Sequence, residues 1–399
     1  MQDIFSLLAN MEKIEFENFS MEVGELEFWI PSGNGVPRVM PRFETPGTAP
    51  ALRMKPSALF SETYVPPVEN FPCRIREVRL GNTKKDGGTR GKTFTLGGAN
   101  SPQFVYNDKP PANLPVLAMD VFDMNIPMPA AVKAGIQDVM DDPAEWARRN
   151  VEKFGADMVT VHLVSTDPLA KDSSPAEAAS VIEKVLQAVD VPLIIGGCGD
   201  PQKDAKVFTK IAEVASGERL LLNSVNLDMA GVGALETITG VAKKHGHALI
   251  GMSGLDLNKA KELNRRLYEY LPPEDIVMDL TSVALGYGLE YSYSIHERAR
   301  LAALLGDEEL QQPTISAASN AWVAREARIK MDPKYGPREF RGPMWETISA
   351  LNLMFAGVDI FMLAHPTTLK TLRDICQMLI QKDTEKPPES NTSWCAARI

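Results

Sequence analysis

From residue 115 onward, short apolar runs recur along the chain, separated by longer stretches of helical periodicity. The runs are PVLAMDV (115–121), DMVTVHL (157–163), VPLIIGG (191–197), RLLLNSV (219–225), HALIGMS (247–253), DIVMDL (275–280), PTISAA (313–318) and VDIFML (358–363). Nearly unbroken hydrophobicity in so short a run predicts a strand buried on both faces, as in a parallel sheet flanked by helices. Helices are predicted in the gaps. Two carry explicit start signals, Asp142-Pro143-Ala144-Glu145 and Ser174-Pro175-Ala176-Glu177, each with a capping side chain, a proline at the first helical position and an acid in the first turn. Asp142, Ser174 and Asp200 therefore read as helix caps. Further helices fit 203–216, 233–244, 258–270, 295–305, 319–329, 343–356 and 367–381.

Eight strand–helix units within about 270 residues predict an α/β fold, a TIM (β/α)8 barrel. A doubly wound open sheet is the runner-up, and the missing dinucleotide fingerprint after the first strand counts against it. The barrel is expected over 76–381. Residues 1–75 differ: an amphipathic segment and two alternating stretches precede a proline-rich run, which reads as an N-terminal arm and linker. Residues 382–399 are polar and proline-containing and read as a disordered tail.

The stretch DGGTRGKT (86–93) imitates a phosphate-binding loop. The spacing fails, because Gly91-Lys92-Thr93 demands a glycine at position 86, which is Asp86. The flanking REVRLGN and KTFTLGG have strand periodicity, so the stretch reads as the turn of a hairpin plugging the N-terminal end of the barrel.

Composition narrows the function. The chain has 399 residues, 44% hydrophobic and 24% charged, with a formal net charge of -10, and such an acidic balance argues against a nucleic-acid binder. No run approaches the roughly 20 apolar residues that span a bilayer, and the N-terminus lacks a signal-peptide pattern, so a cytoplasmic location is expected. The four cysteines are scattered, with no C-x-x-C pair, which excludes a disulfide frame, a zinc site or an iron–sulfur cluster as the sequence reading.

In a barrel the chemistry sits where strands end and the following loops begin. Those positions hold Asp120 and Asp123, then His162, Ser165, Thr166 and Asp167, then GGCGD (196–200), Asn223, Ser253 and Asp279. The last leads into TSVALGYGLEYSYS, whose Tyr287, Glu290, Tyr291 and Tyr293 are expected to form a flat aromatic wall; ASNAW (318–322) and His365 follow. No lysine ends a strand, so Schiff-base chemistry has no nucleophile. His245 and His247 read as structural, Cys198 as a small buried residue, and His162 divides evenly between core and site. Asp120, Asn223 and Asp279 form the candidate polar pocket, because polar groups ending apolar strands are costly unless paired or wetted.

The segments EVRLGNTKKDGGTRGKTFTLGG, DVFDMNIP, DPAEWARRNVEKFGADMVTVHLVSTDP, VPLIIGGCGDPQKD, ALGYGLEYSYSIHERARLAALLGD and SNAWVAREA resemble the delta subunit of the acetyl-CoA decarbonylase/synthase complex, archaeal type. That family is the small subunit of the corrinoid iron–sulfur protein. The resemblance, over about residues 74–381, implies a barrel akin to pterin-dependent methyltransferases. It also implies a larger gamma subunit carrying the iron–sulfur cluster, and association with the acetyl-CoA synthase and CO dehydrogenase subunits. A corrinoid shared with the large subunit would lie against the barrel mouth, passing methyl groups between methyl-tetrahydropterin and the nickel–iron cluster of the synthase. No iron–sulfur cluster or metal is expected on this chain, and no nucleic-acid or membrane partner.

The corrinoid-facing rim implied by this reading comprises His162, Ser165, Asp167, Ser253, Thr281, Tyr287, Ser316 and Asn320. Two other readings stay open. The barrel itself could bind methyl-tetrahydropterin as the methyltransferase, Asp120, Asn223 and Asp279 holding the pterin edge, or the chain could serve mainly as a scaffold of the complex.

Overall fold

A computed structural model of the protein describes residues 70–102 and 111–380. The arm up to residue 69 and the tail 382–399 lie outside the described residues. Two short antiparallel strands come first, β1 (Val78–Leu80) and β2 (Phe94–Leu96). Eight parallel strands then close into a barrel: β3 (Val116–Phe122), β4 (Met158–His162), β5 (Leu193–Gly196), β6 (Leu221–Val225), β7 (Ala248–Met252), β8 (Ile276–Asp279), β9 (Thr314–Ser316) and β10 (Ile360–Leu363). β10 pairs with β3 and closes the ring, so the open-sheet alternative is excluded.

Each barrel strand is followed by one long helix: α1 (Pro143–Glu152), α2 (Pro175–Ala188), α3 (Pro201–Val214), α4 (Ala234–His245), α5 (Leu257–Tyr268), α6 (Leu289–Leu304), α7 (Arg338–Phe355) and α8 (Pro366–Ile380). The expected caps are formed. Asp142 accepts from the N–H groups of Ala144 and Glu145, Asp200 accepts from that of Lys203, and Ser174 with Glu177 makes a reciprocal capping box.

Three helix starts differ from expectation. The stretch 319–329 is no single helix but a 3-10 segment (Ala318–Val323) and one short turn (Arg325–Arg328), broken at Ala324, whose ψ of 134° is extended. Helix α6 begins at Leu289, six residues before the expected 295, because Gly288 turns the chain with φ 123°. Helix α7 begins at Arg338, and Pro343, which the sequence pattern places at a helix start, lies inside its early turns.

Alternation along the strands sets which side chains face the barrel axis. Val116, Ala118, Met158, Ile194, Leu221, Ala248, Ile250, Val277, Ile315, Ile360 and Met362 form one cluster with Val78, Leu80 and Leu96 of the hairpin. The hairpin therefore plugs the N-terminal end, as expected. Its turn is fastened by Arg90, only 4% exposed, which donates to Glu218 and to the carbonyls of Val189 and Leu186. Lys92 and Thr93 belong to this structural turn, on the far side of the barrel from the mouth.

The helix layer buries groups with no role at the mouth. His247 is fully buried, accepting from the Leu220 N–H, with its other ring nitrogen against the Ala212 carbonyl. Its structural reading holds. His296 on α6 is 1% exposed, neither ring nitrogen has a hydrogen-bond partner among the described residues, and burial pushes its imidazole down to about 3. The unfolded chain takes up a proton near the ordinary value of 6.5 that the folded chain refuses. Stability is therefore lost as pH falls from about 6.5 towards 3. His296→Leu is expected to remove that slope, retaining roughly 2–3 kcal/mol relative to the native chain at pH 4. Urea midpoints of both proteins between pH 7 and 4 check this, and parallel pH curves would sink it.

Candidate functional site at the barrel mouth

The inward register continues upward from the apolar plug. Two residues beyond the cluster members on each strand lie Asp120, Thr160 and then His162, Gly196, Asn223, Met252, Asp279, Ala317 and Ala364. Asp120, Asn223 and Asp279 thus all project into the mouth, each from a different strand. Side chains must fill or wet this layer, and a polar set here leaves an opening that an apolar layer would close.

Asp120 is 4% exposed, and its Oδ1 lies 3.1 Å from Nε2 of His162. The two atoms are close enough for an ion pair but misaligned for a hydrogen bond, and neither finds a hydrogen-bond partner among the described residues. The His162 ring stacks on Phe122 with centroids 4.8 Å apart. Gly196 gives it room: a Cβ there would sit 3.0 Å from Nδ1. Asn223 reaches across the barrel to the sulfur of Met362 at 3.9 Å. Asp279 accepts from the Thr281 N–H at 2.7 Å, and burial pushes its carboxyl up to about 6. That bond holds Thr281 in the left-handed region at φ 76°.

A cavity of about 770 Å³ opens beside the axis. Asp120, Phe122 and His162 line it from the strand ends, with Ile126, Met128 and Val132 from the segment after β3 and Asn320, Trp322, Val323 and Arg328 from the segment after β9. It takes in Asp120 but neither Asn223 nor Asp279, so the expected three-residue pocket is split. A larger cavity, about 900 Å³, lies at the other end around Arg90, Asp190 and Glu218, where the Arg90 guanidinium is already committed to structural bonds.

The rim residues divide as well. Ser253, Tyr287 and Asn320 reach the surface, and the Tyr287 hydroxyl donates to Glu326, joining the loops after β8 and β9. Asp167 is half-buried and caps its own turn at the Leu169 N–H. Ser165 is buried, its N–H and Oγ donating to Asp123 at 2.9 and 2.5 Å. Ser316 is a correction: fully buried on the outward face of β9, it accepts from Ser282 and offers nothing to the rim. The aromatic wall is corrected too, because helix α6 spaces Glu290, Tyr291 and Tyr293 by its 100° rotation and leaves Tyr291 65% exposed.

Two groups behind the cavity carry no sequence signal. Glu346, mid-helix on α7 and fully buried, accepts from the N–H groups of Ala364 and His365 and from the Thr368 hydroxyl. Burial pushes its carboxyl up to about 7, with the nearby Asp120 charge adding to the rise. Gly342 passes so close under Trp322 that a Cβ would overlap the indole, and Trp322 stands at the cavity wall. Asp204 shapes the GGCGD loop by accepting from the N–H groups of Cys198 and Gly199, and the Cys198 thiol donates to it. Burial raises that thiol, in keeping with a structural cysteine.

A parallel eight-stranded barrel with a polar mouth defines the class: an α/β protein whose site is built from βα loops. Residues 77–395 match the family model for the CO dehydrogenase/acetyl-CoA synthase delta subunit, and the chain belongs to that family. It is 46% identical over 382 residues to the acetyl-CoA decarbonylase/synthase complex subunit delta of Methanosarcina mazei, covering 93% of this chain and 85% of that one. The Methanocaldococcus jannaschii subunit is 42% identical over 399 residues, covering 98% and 95%. Among solved structures, dihydropteroate synthase from Thermus thermophilus in complex with 4-aminobenzoate is similar, with a TM-score of 0.44, 16% identity, and coverage of 67% and 95%. Among the described residues no cluster of His, Cys, Asp and Glu is placed to hold a metal ion, and no helix is long and apolar enough to cross a membrane.

Proposed function

We propose that this chain is the corrinoid-covering small subunit of a corrinoid iron–sulfur methyl carrier, acting between methyl-tetrahydropterin and the synthase of an acetyl-CoA decarbonylase/synthase complex. One observation carries the reading. Large apolar side chains stand exposed on the mouth face in the segments after β4, β6, β7, β8 and β9: Leu169, Val232, Leu255, Tyr287, Tyr291 at the start of α6, and Val323. Single exposed apolar residues are ordinary, but several of them in the segments at one end of a barrel support a surface that is covered in use.

These residues fit a corrinoid in chemistry. A corrin is a broad, flat macrocycle with amide arms; apolar rim residues suit its face, and the Ser253 hydroxyl, the Asn320 amide and the Tyr287 hydroxyl suit the arms. When bound, the corrinoid supplies the cobalt that carries the methyl group. The chain's own residues shape and dry the space above it, with the loops after β8 and β9 joined through Tyr287 and Glu326. The large subunit and the other complex subunits complete the assembly under this reading.

Co-expression with the large subunit tests it. The purified pair is expected to show a corrinoid absorption spectrum that this chain alone lacks, and a pair without corrinoid overturns the proposal. Leu255→Asp with Tyr291→Asp, both at exposed positions, is expected to change the stability of the free chain by less than about 0.5 kcal/mol while weakening pair formation at least about tenfold. Methyl-tetrahydropterin binding by the chain alone would instead favour the methyltransferase reading, which the inward placement of Asp120, Asn223 and Asp279 supports.

A further inference from the structure

Behind the mouth cavity, Glu346 meets two groups that line it, Asp120 on β3 and Trp322 in the segment after β9. An ionised carboxylate only accepts, with room for about four hydrogen bonds. Glu346 takes three: from the Ala364 N–H at 2.6 Å, the His365 N–H at 3.1 Å and the Thr368 hydroxyl at 2.8 Å. One place is left. The buried indole N–H of Trp322 lies near enough to pull the Glu346 carboxyl down, yet outside hydrogen-bond geometry. The benzene ring of that indole rests on Gly342, where a Cβ would come within 2.0 Å, so only a bare glycine backbone leaves the ring its position.

Protonation changes what Glu346 can hold. A protonated carboxyl has a hydrogen to donate, and the Thr368 hydroxyl can accept it, because its own hydrogen has a second acceptor in the Pro343 carbonyl at 3.4 Å. In that setting the carboxyl offers the indole little. Ionised Glu346 recovers the Thr368 hydrogen and carries a buried charge, which draws in the one free donor beside it. The surroundings decide between the two settings. Asp120 is the charge that raises Glu346, with His162 3.1 Å beyond it. His365, before α8, and His296, on the adjoining α6, are both kept neutral by burial. Arg341, on the same helix, is spent on the carbonyls of Glu326 and Ile329, and Arg300 of α6 pairs with Asp359. On α8, Lys370 and Arg373 pair with Asp374 and Asp157; Arg325 and Arg328 are exposed, and Lys133 is half-buried in the turn Ala130–Lys133.

We propose that Glu346 is a proton-operated latch on the cavity wall: ionised, it holds the Trp322 indole N–H, protonated, it releases it, and the charge at Asp120 sets the balance. Neutralising Asp120, by a proton or by a cation beside it, favours the ionised latch and turns Trp322 toward Glu346. A change of charge at the strand ends is thereby felt at the opposite wall of the cavity. The device lies within the fold of this chain and does not rest on the corrinoid-covering role.

The full-length chain, labelled with 5-fluorotryptophan and free of partner and corrinoid, is followed by fluorine NMR across neutral pH. The Trp322 resonance is the one that Trp322→Phe removes. In the native chain it is expected to shift with a midpoint near 7. In Glu346→Gln it is expected to stay fixed over the same range. In Asp120→Asn the midpoint is expected to fall by at least about 0.3 pH unit, because a neighbouring negative charge is gone. A purely structural Glu346 would move none of these readings. A Trp322 resonance that does not shift in the native chain, one that still shifts in Glu346→Gln, or an unmoved midpoint in Asp120→Asn each overturns the proposal. Should Glu346→Gln fail to fold, the Asp120→Asn midpoint decides alone. Loss of corrinoid from the co-expressed pair would leave these results untouched, so the two proposals fail separately.

Discussion

Replacing Arg90 with methionine is expected to destabilise the chain by about 3–5 kcal/mol, the range for breaking a buried charge network by removing one partner. The Arg90 side chain is 3% exposed and that of Glu218 10%, with Nε–Oε2 at 2.7 Å. Its guanidinium also donates to the carbonyls of Val189 and Leu186 and to the Thr89 hydroxyl. Methionine fills the stem's volume but leaves the Glu218 carboxylate without the guanidinium that pairs it. It also strips donors from the carbonyls next to β5. The cost should appear as a lower urea midpoint with an unchanged slope. Because Arg90 holds the plug and not the mouth, corrinoid content of the folded pair should be unaltered. A variant within about 1 kcal/mol of the native chain would mean that the turn is fastened some other way.

The second large effect is expected at Glu346, and it reverses with pH. Burial holds this carboxyl at about 7 in the folded chain against an ordinary 4.5. A folded value above the unfolded one gives stability that is present below about 4.5 and lost as pH rises through about 7. Glu346→Gln keeps one acceptor oxygen but loses the second of a group that serves Ala364, His365 and Thr368. At pH 5, where the native acid is largely protonated, the variant should be less stable by about 1–2 kcal/mol. At pH 8 the native chain bears a buried carboxylate and the variant does not, so the difference should vanish or change sign, moving by roughly 2–3 kcal/mol. Denaturant midpoints of both proteins across that range decide it. A constant difference would show that Glu346 does not titrate in this window.

Much of the scaffold was legible because its signals are local. All eight barrel strands fall within the predicted apolar runs to within two residues or so, since a strand covered on both faces must be apolar throughout. The caps at Asp142, Ser174 and Asp200 follow from side chains that bond their own helix starts. Prediction failed where the local signal was overruled. The 319–329 stretch has helical composition, yet Trp322 is buried at the cavity wall and Ala324 breaks the turn beyond it. Pro343 suggested a helix start, but α7 extends five residues ahead of it.

The site divides along the same line. Asp120, Asn223 and Asp279 were found because a polar residue at the end of an apolar strand is visible in one dimension. That Asp120 would lie beside His162, with Phe122 stacked on the imidazole, depends on the register between β3 and β4. Ser316 could not be excluded from the rim without knowing that its strand turns it towards Ser282. Glu346 was invisible, being an acid within an amphipathic helix, the commonest place for a solvated one.

The sequence by itself determined the strand and helix order, the helix caps, the failed phosphate loop and the family, because each rests on neighbouring residues or on long ordered segments. Only the tertiary structure decided which polar groups share a surface, which are spent on holding loops, and which face each other at the cavity, as Asp120 and His162 do. The reason is physical. Hydrophobic periodicity and capping act over a few residues, whereas burial, register and the partner of a buried charge are set between strands and helices far apart in the chain.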